Sequence, residues 1–186
     1  MTGAAPVERP LSALAAFAQL GDRQALEELL RRLQHPLSEH IRGIVRDDDS
    51  AADVLQDSLI IICRRLGTLR EPEWVRAWAY RVATREAVRA AKRLRRYRGD
   101  PLDDVSEMAE VPTDDSQTDE ELLAELPARL AALPLGAQVV LRLHYLQSLT
   151  QQEVAEALAI PLGTVKSRLA YGLSCLRREW VPPDSP

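Results

Sequence analysis

Near the C-terminus, Thr164, Lys166, Ser167, Arg168 and Tyr171 stand within eight positions of one another. These are the side-chain types that read nucleic acid. Lysine and arginine reach phosphates or guanine O6 and N7, and hydroxyls pair with either. A second basic set, Arg81, Arg85, Arg89, Lys92 and Arg93, recurs at helical spacing. It suits phosphate contact, which is sequence-independent and sensitive to salt. Just ahead of it lie Trp74, Trp78 and Tyr80. Trp74 and Tyr80 read equally as core residues and as candidates for stacking on unpaired bases, at roughly 1–3 kcal/mol per base. Trp78 falls in register with Val82 and is expected in the core.

Other chemistries find little support. There is no Gly-rich phosphate loop, nucleophile elbow or paired catalytic carboxylate, so an enzyme is not expected. His35, His40 and His144 are scattered without metal-ligand spacing and read as surface or interface residues. Cys63 and Cys175 are far apart and in no CxxC pattern, which argues against a disulfide scaffold or structural zinc. No metal or cofactor is expected. The longest aliphatic block, Leu59 to Cys63, falls far short of the ~20 residues that span a bilayer. No signal-peptide pattern is visible, and a cytoplasmic protein without membrane insertion is expected.

The elements that must position these residues follow from periodicity. At 186 residues the chain allows one ordinary domain or two small ones. Leu26, Leu29, Leu30 and Leu33 share one helical face. Leu37, Ile41, Ile44 and Val45 repeat the pattern after Pro36, and Leu55, Leu59, Ile62 and Leu66 form a third stripe. Trp74, Trp78 and Val82 form a fourth. Residues 1–10 read as a tail and 11–98 as an all-helical domain of about four helices.

Charge divides the chain further. Between Arg64 and Arg98 there are twelve basic residues against three acids, a balance of +9. Between Gly99 and Leu126 there are eleven acids and no lysine or arginine. The basic block suggests a polyanionic partner. The acidic one, with Pro101 and Pro112 and no sustained apolar period, is expected to be an extended linker over 99–118. A second helical domain spans 119–181. Thr118 to Glu121 reads as a capping box, and Pro134 opens a helix carrying Leu141, Tyr145 and Leu149. Residues 182–186 form a tail.

Within this domain, Thr150-Gln-Gln-Glu153 is a further capping box. Val154, Ala155 and Leu158 give a short helix its inner face, and Ala159 to Gly163 form a turn. Val165, Leu169 and Leu176 face inward on the next helix, leaving Thr164, Lys166, Ser167, Arg168 and Tyr171 outside. This is a helix-turn-helix pattern, whose second helix lies in the major groove.

Two stretches resemble bacterial RNA polymerase sigma factors of the extracytoplasmic-function (ECF) group. Asp49 to Leu59, Arg76-Ala-Trp78-Ala-Tyr80-Arg-Val-Ala and the following basic run are similar to that family's region 2. Ala132-Leu-Pro134, Val139 to Leu141, Leu149 to Glu156 and Gly163 to Leu169 are similar to region 4. The resemblance implies an all-α fold of two small helical domains joined by the acidic linker. It implies that the first domain binds the β′ clamp of core RNA polymerase through Asp49, Asp53, Gln56 and Asp57. It assigns the minus-ten promoter element to Arg70, Trp74, Arg76, Tyr80, Arg81, Arg85, Arg89 and Lys92. The second domain would bind the β flap and, through the five residues of the helix-turn-helix, the minus-thirty-five element. The linker would thread the polymerase cleft, and an anti-sigma factor is admitted as a further partner.

Asp53 also stands in capping-box relation to Ser50, so helix capping accounts for part of the acidic patch. Three positions depart from the family's usual residues. Ala52 stands where glutamate is common, and Arg85 and Arg89 stand where asparagine and aspartate are common. These departures motivate one rival reading, a sigma-like protein that sequesters an anti-sigma factor instead of initiating transcription. A stand-alone helix-turn-helix repressor is a second rival. It would need a symmetric dimer, and with no obvious dimerising helix the free chain is expected to be a monomer.

Overall fold

The computed structural model describes residues 9–98, 129–130 and 133–180. All regular structure among them is helical. Helices α1 (Leu11–Gln19), α2 (Arg23–Val45), α3 (Asp48–Arg65) and α4 (Val75–Arg98) form the N-terminal bundle. Helices α5 (Leu135–Leu141), α6 (Gln151–Leu158) and α7 (Leu162–Trp180) form the C-terminal one. The acidic segment and the capping box at Thr118 lie outside the described residues.

Helix α2 runs unbroken through Pro36, where the periodicity suggests two stripes. Leu29, Leu33, Leu37, Ile41 and Ile44 are all buried on its inner face. Each such side chain contributes about 1.5–3 kcal/mol on burial, which together outweigh the ~3 kcal/mol cost of an internal proline. The N-terminal bundle still has four helices, because α1 precedes this merged one. The start of α3 also differs from expectation. Asp47, not Ser50, is its N-cap, accepting from the Ser50 amide at 3.0 Å.

Trp78 is half-buried and not a core residue. The buried face of α4 is carried by Val75, Ala79, Ala83 and Ala87 at i, i+4 spacing. These small side chains let α4 lie close against α2 and α3. Trp74, Trp78 and Val82 form a neighbouring stripe on its flank, each half-buried.

In the C-terminal bundle α5 passes directly into a π-helical turn, Arg142–Leu146. The Gln147 amide bonds to the Arg142 carbonyl at 3.0 Å, an i to i−5 pairing. Helices α5 and α7 pack closely at Gly172, where a Cβ would collide with the Leu141 side chain. The two bundles are in contact, with α4 packed along α6 and one continuous cluster of buried side chains running through both.

Candidate nucleic-acid interface

The helix-turn-helix forms as its pattern predicts. Thr150 caps α6: its Oγ1 accepts from the Glu153 amide at 3.2 Å, and the Thr150 amide donates to Glu153 Oε2 at 2.7 Å. Ala159 turns the chain in the left-handed region at φ 53°. Pro161 then accepts from the Thr164 and Val165 amides at 2.9 and 3.2 Å and opens α7. Val165, Leu169 and Leu176 are buried.

The outer residues of α7 are not equally open. Lys166 is exposed, whereas Thr164, Ser167, Arg168 and Tyr171 are half-buried. Ser167 Oγ donates to the Thr164 carbonyl at 3.1 Å. Burial lowers the pKa of Arg168. The Cys175 thiol, which shares a hydrogen bond with the Tyr171 hydroxyl, raises that of Tyr171. Leu162, 38% exposed at the start of α7, adds an apolar contact point that the polar pattern did not single out.

The basic helix α4 is divided by the second bundle. Arg70, Arg85 and Arg89 are exposed and Lys92 is half-buried, with Arg89 paired to Glu86 at 2.9 Å. Arg76, Tyr80 and Arg81 instead face the C-terminal bundle. Arg76 donates to the Gln147 carbonyl, and the Tyr80 hydroxyl pairs with Gln147 Oε1. Arg81 donates through Nε to the Glu156 carbonyl at 2.8 Å and lies 3.2 Å from its carboxylate. Tyr80 is 1% exposed, and burial pushes its hydroxyl up to about 12. In this arrangement its ring is closed to a stacking base, which is the core alternative of the two that the sequence left open. The reason is its place in the helix: Tyr80 lies at the seam with α2, edge-on to His40, and not on the flank with Trp74.

Trp74 and Trp78 line a cleft of about 530 Å³ with Arg70, Glu71, Arg81 and Glu156. The Trp74 indole donates to Glu71 Oε2 at 3.0 Å. Two aromatic walls with flanking guanidinium groups can hold a planar base.

On α3, Asp49, Asp53, Gln56 and Asp57 are all exposed. Gln56 among them lines an apolar groove of about 450 Å³ with Leu30, Ala52, Leu55, Leu59, Ile60 and Cys63. The stripe Leu55, Leu59, Ile62, Leu66 therefore splits: Ile62 and Leu66 are core, while Leu55 and Leu59 floor this groove. Among the described residues there is no cluster of three metal-ligating side chains, and no helix is long and apolar enough to cross a membrane.

Comparison with known proteins accounts for this arrangement. Residues 20–97 match Sigma-70 region 2, and residues 122–178 match Sigma-70 region 4. The RNA polymerase sigma-E factor of Streptomyces coelicolor is 32% identical over 170 residues, covering 89% of this chain and 91% of that protein. The ECF RNA polymerase sigma factor SigM of Mycobacterium tuberculosis is 28% identical over 171 residues, covering 92% and 85%. The fold is similar to that of CnrH solved with the cytosolic domain of CnrY, at a TM-score of 0.69 and 20% identity over 94% of this chain and 99% of that one. It is also similar to RpoE of Bartonella quintana solved with the anti-sigma factor NepR, at a TM-score of 0.64 and 16% identity over 85% and 98%.

The chain belongs to the ECF sigma factors of bacterial RNA polymerase. It directs promoter-specific transcription, and neither the repressor nor the sequestering reading is favoured. No enzymatic family is indicated.

Proposed function

We propose that the work of initiation is divided among three faces of this molecule. The acidic edge of α3, with the apolar groove behind it, binds the β′ clamp of core polymerase. Asp49, Asp53, Gln56 and Asp57 supply charge complementarity around an apolar centre, a pattern that steers encounter and fixes register. Ala52 widens the apolar part of this surface.

The second face is α4 with the preceding loop. Arg70, Arg85, Arg89 and Lys92 track phosphates of the minus-ten region, and the cleft between Trp74 and Trp78 receives an unstacked base. Arg76, Tyr80 and Arg81 join this face once the C-terminal bundle moves away. The third face is the start of α7, where Thr164, Lys166, Ser167, Arg168 and Tyr171 read the minus-thirty-five element. The two domains are 11–98 and 119–181. The acidic stretch between them mimics nucleic acid in charge and threads a positively lined polymerase channel.

The observation that carries this reading is the capped helix-turn-helix, with Lys166 and Arg168 on its second helix, in the same chain as an exposed acidic edge on α3. The protein is not itself an enzyme; phosphodiester chemistry belongs to the polymerase, so the protein acts in the cytoplasm. RpoE of Bartonella quintana was solved with the anti-sigma factor NepR, which supports an anti-sigma factor as a regulator here too. Run-off transcription with purified core polymerase tests the proposal: specific transcripts support it, and their absence overturns it.

A further inference from the structure

The loop between α3 and α4 supplies one wall of the Trp74 cleft, and it is held from outside by α1. It consists of two short 3-10 turns, Leu66–Thr68 and Pro72–Trp74, with Leu69 extended after the first. Leu69, Arg70, Glu71 and Trp74 all line the cleft. Within the loop, the Trp74 indole is tied to the Glu71 carboxylate. From outside, Gln19 Nε2 donates to the Leu66 carbonyl at 2.9 Å and to the Leu69 carbonyl at 2.7 Å. Gln19 is the last residue of α1 and is half-buried. Leu14 and Ala15 of the same helix are buried and α1 packs on α2, so the amide is carried on a fixed post. The first turn has little else to hold its outer side. Gly67 and Thr68 are exposed, and a Cβ at Gly67 would meet nothing.

We propose that Gln19 is a positioning residue for promoter melting: it sets the loop in the shape that receives an unstacked base, without touching DNA itself. The proposal rests on the assignment of the Trp74 and Trp78 cleft to a base of the minus-ten region. One amide group spends both its hydrogens on the two ends of the first turn, which fixes the turn against α1. The second of these carbonyls belongs to the residue directly before Arg70, so the clasp also fixes where the chain enters the cleft. A loop held in its working shape loses less conformational freedom when a base enters. A loop released from α1 must order itself at the moment of capture, and fewer encounters end in an open duplex. Core binding is separate from this contact, because the acidic residues Asp49 to Asp57 stand on the earlier turns of α3 and the clasp lies beyond its last turn. Gln19 also lies just ahead of residues 20–97, which match Sigma-70 region 2.

Two uncharged substitutions test this and leave the electrostatics of the DNA surface unchanged. Gln19→Leu keeps the size of the side chain and removes the donor. Gln19→His restores one N–H at similar reach. Each full-length variant is assembled with core polymerase and given a duplex promoter fragment that the wild-type holoenzyme transcribes. Melting is followed by permanganate oxidation of unpaired thymines. Gln19→Leu is expected to open the duplex about tenfold more slowly, for the loss of two hydrogen bonds, and Gln19→His to recover much of that rate. The core concentration for half-maximal assembly and the closed complex formed in the cold are expected to stay at wild-type values. A general loss of folding would not produce that split. Circular dichroism checks helix content. Should Gln19→Leu fail to fold, Gln19→Asn, which keeps the amide on a shorter stem, takes its place. Opening at the wild-type rate, an equal loss in core binding or in the closed complex, or no recovery in Gln19→His overturns the proposal. Trp74→Ala is measured alongside. Slow opening there with normal opening in Gln19→Leu strikes the role of Gln19 alone. Normal opening in Trp74→Ala strikes the base-capture reading and takes the role of Gln19 with it.

Discussion

The carboxylate of Glu156 lies 3.2 Å from the guanidinium of Arg81, joining the first helix of the helix-turn-helix to the basic helix of the other bundle. Both side chains are about half exposed, so the pair itself contributes little, at about 0–1 kcal/mol. Its importance is positional, because it holds the first helix of the helix-turn-helix beside the basic helix α4.

Replacing Asp53 by arginine should abolish co-purification with core polymerase. Asp53 is exposed on α3, next in sequence to the groove residue Ala52, so the substitution reverses charge at the proposed docking edge without disturbing the core. Circular dichroism should be unchanged. Undiminished co-purification would remove Asp53 from the polymerase surface.

Truncating Arg168 to alanine should cost roughly 1–3 kcal/mol in binding to the minus-thirty-five element and relax preference at one position. A panel of duplexes varied one base pair at a time measures this. A uniform loss across the panel, together with a shallower salt dependence, would reassign Arg168 to a phosphate.

Stability should fall on mild acidification because of His40. Burial is the main cause that lowers its pKa from 6.5 to about 3, and the nearby charge of Arg142 adds to it. The side chain packs against Thr84, which pairs with its Nε2 at 2.8 Å, and against Tyr80. The folded state thus favours neutral histidine. Its contribution is complete above pH 6.5 and is lost as pH falls from there toward 3. By pH 5.5 the loss is about 1.4 kcal/mol. Urea titrations at pH 7.5 and 5.5 should show this difference in the wild type and not in His40→Leu. Glu28, held down to about 2 by Arg31 and Arg32, titrates in a lower window and does not confuse the comparison.

Gly172→Ala should destabilise the C-terminal bundle by about 1–3 kcal/mol, since the added methyl would collide with Leu141 and sit 3.5 Å from the Ala137 Cβ. Thermal unfolding followed by circular dichroism reads this as a lower Tm. An unchanged Tm would mean that α5 and α7 are less closely packed than described.

The parts legible in the sequence are those governed by local rules. The capping box at Thr150 and the inward set Val165, Leu169 and Leu176 depend on spacing alone, and the structure has them as read. Pro36 misled because long-range burial on both sides of it, which no local rule counts, holds α2 together. Trp78 misled because alanines, weak as hydrophobic signals, carry the buried face of α4. The π-helical turn has no sequence signature, and so neither the burial of Arg142 nor the engagement of Tyr80 by Gln147 could be read from spacing. The apolar groove beside Gln56 was hidden in a stripe that looked like ordinary core.

Transcription from genomic DNA by core polymerase supplemented with this protein, with the 5′ ends of the transcripts sequenced, addresses the central claim most directly. The account predicts discrete start sites that share two upstream elements and disappear when the protein is omitted. Start sites unchanged by the protein, or none at all, would contradict it.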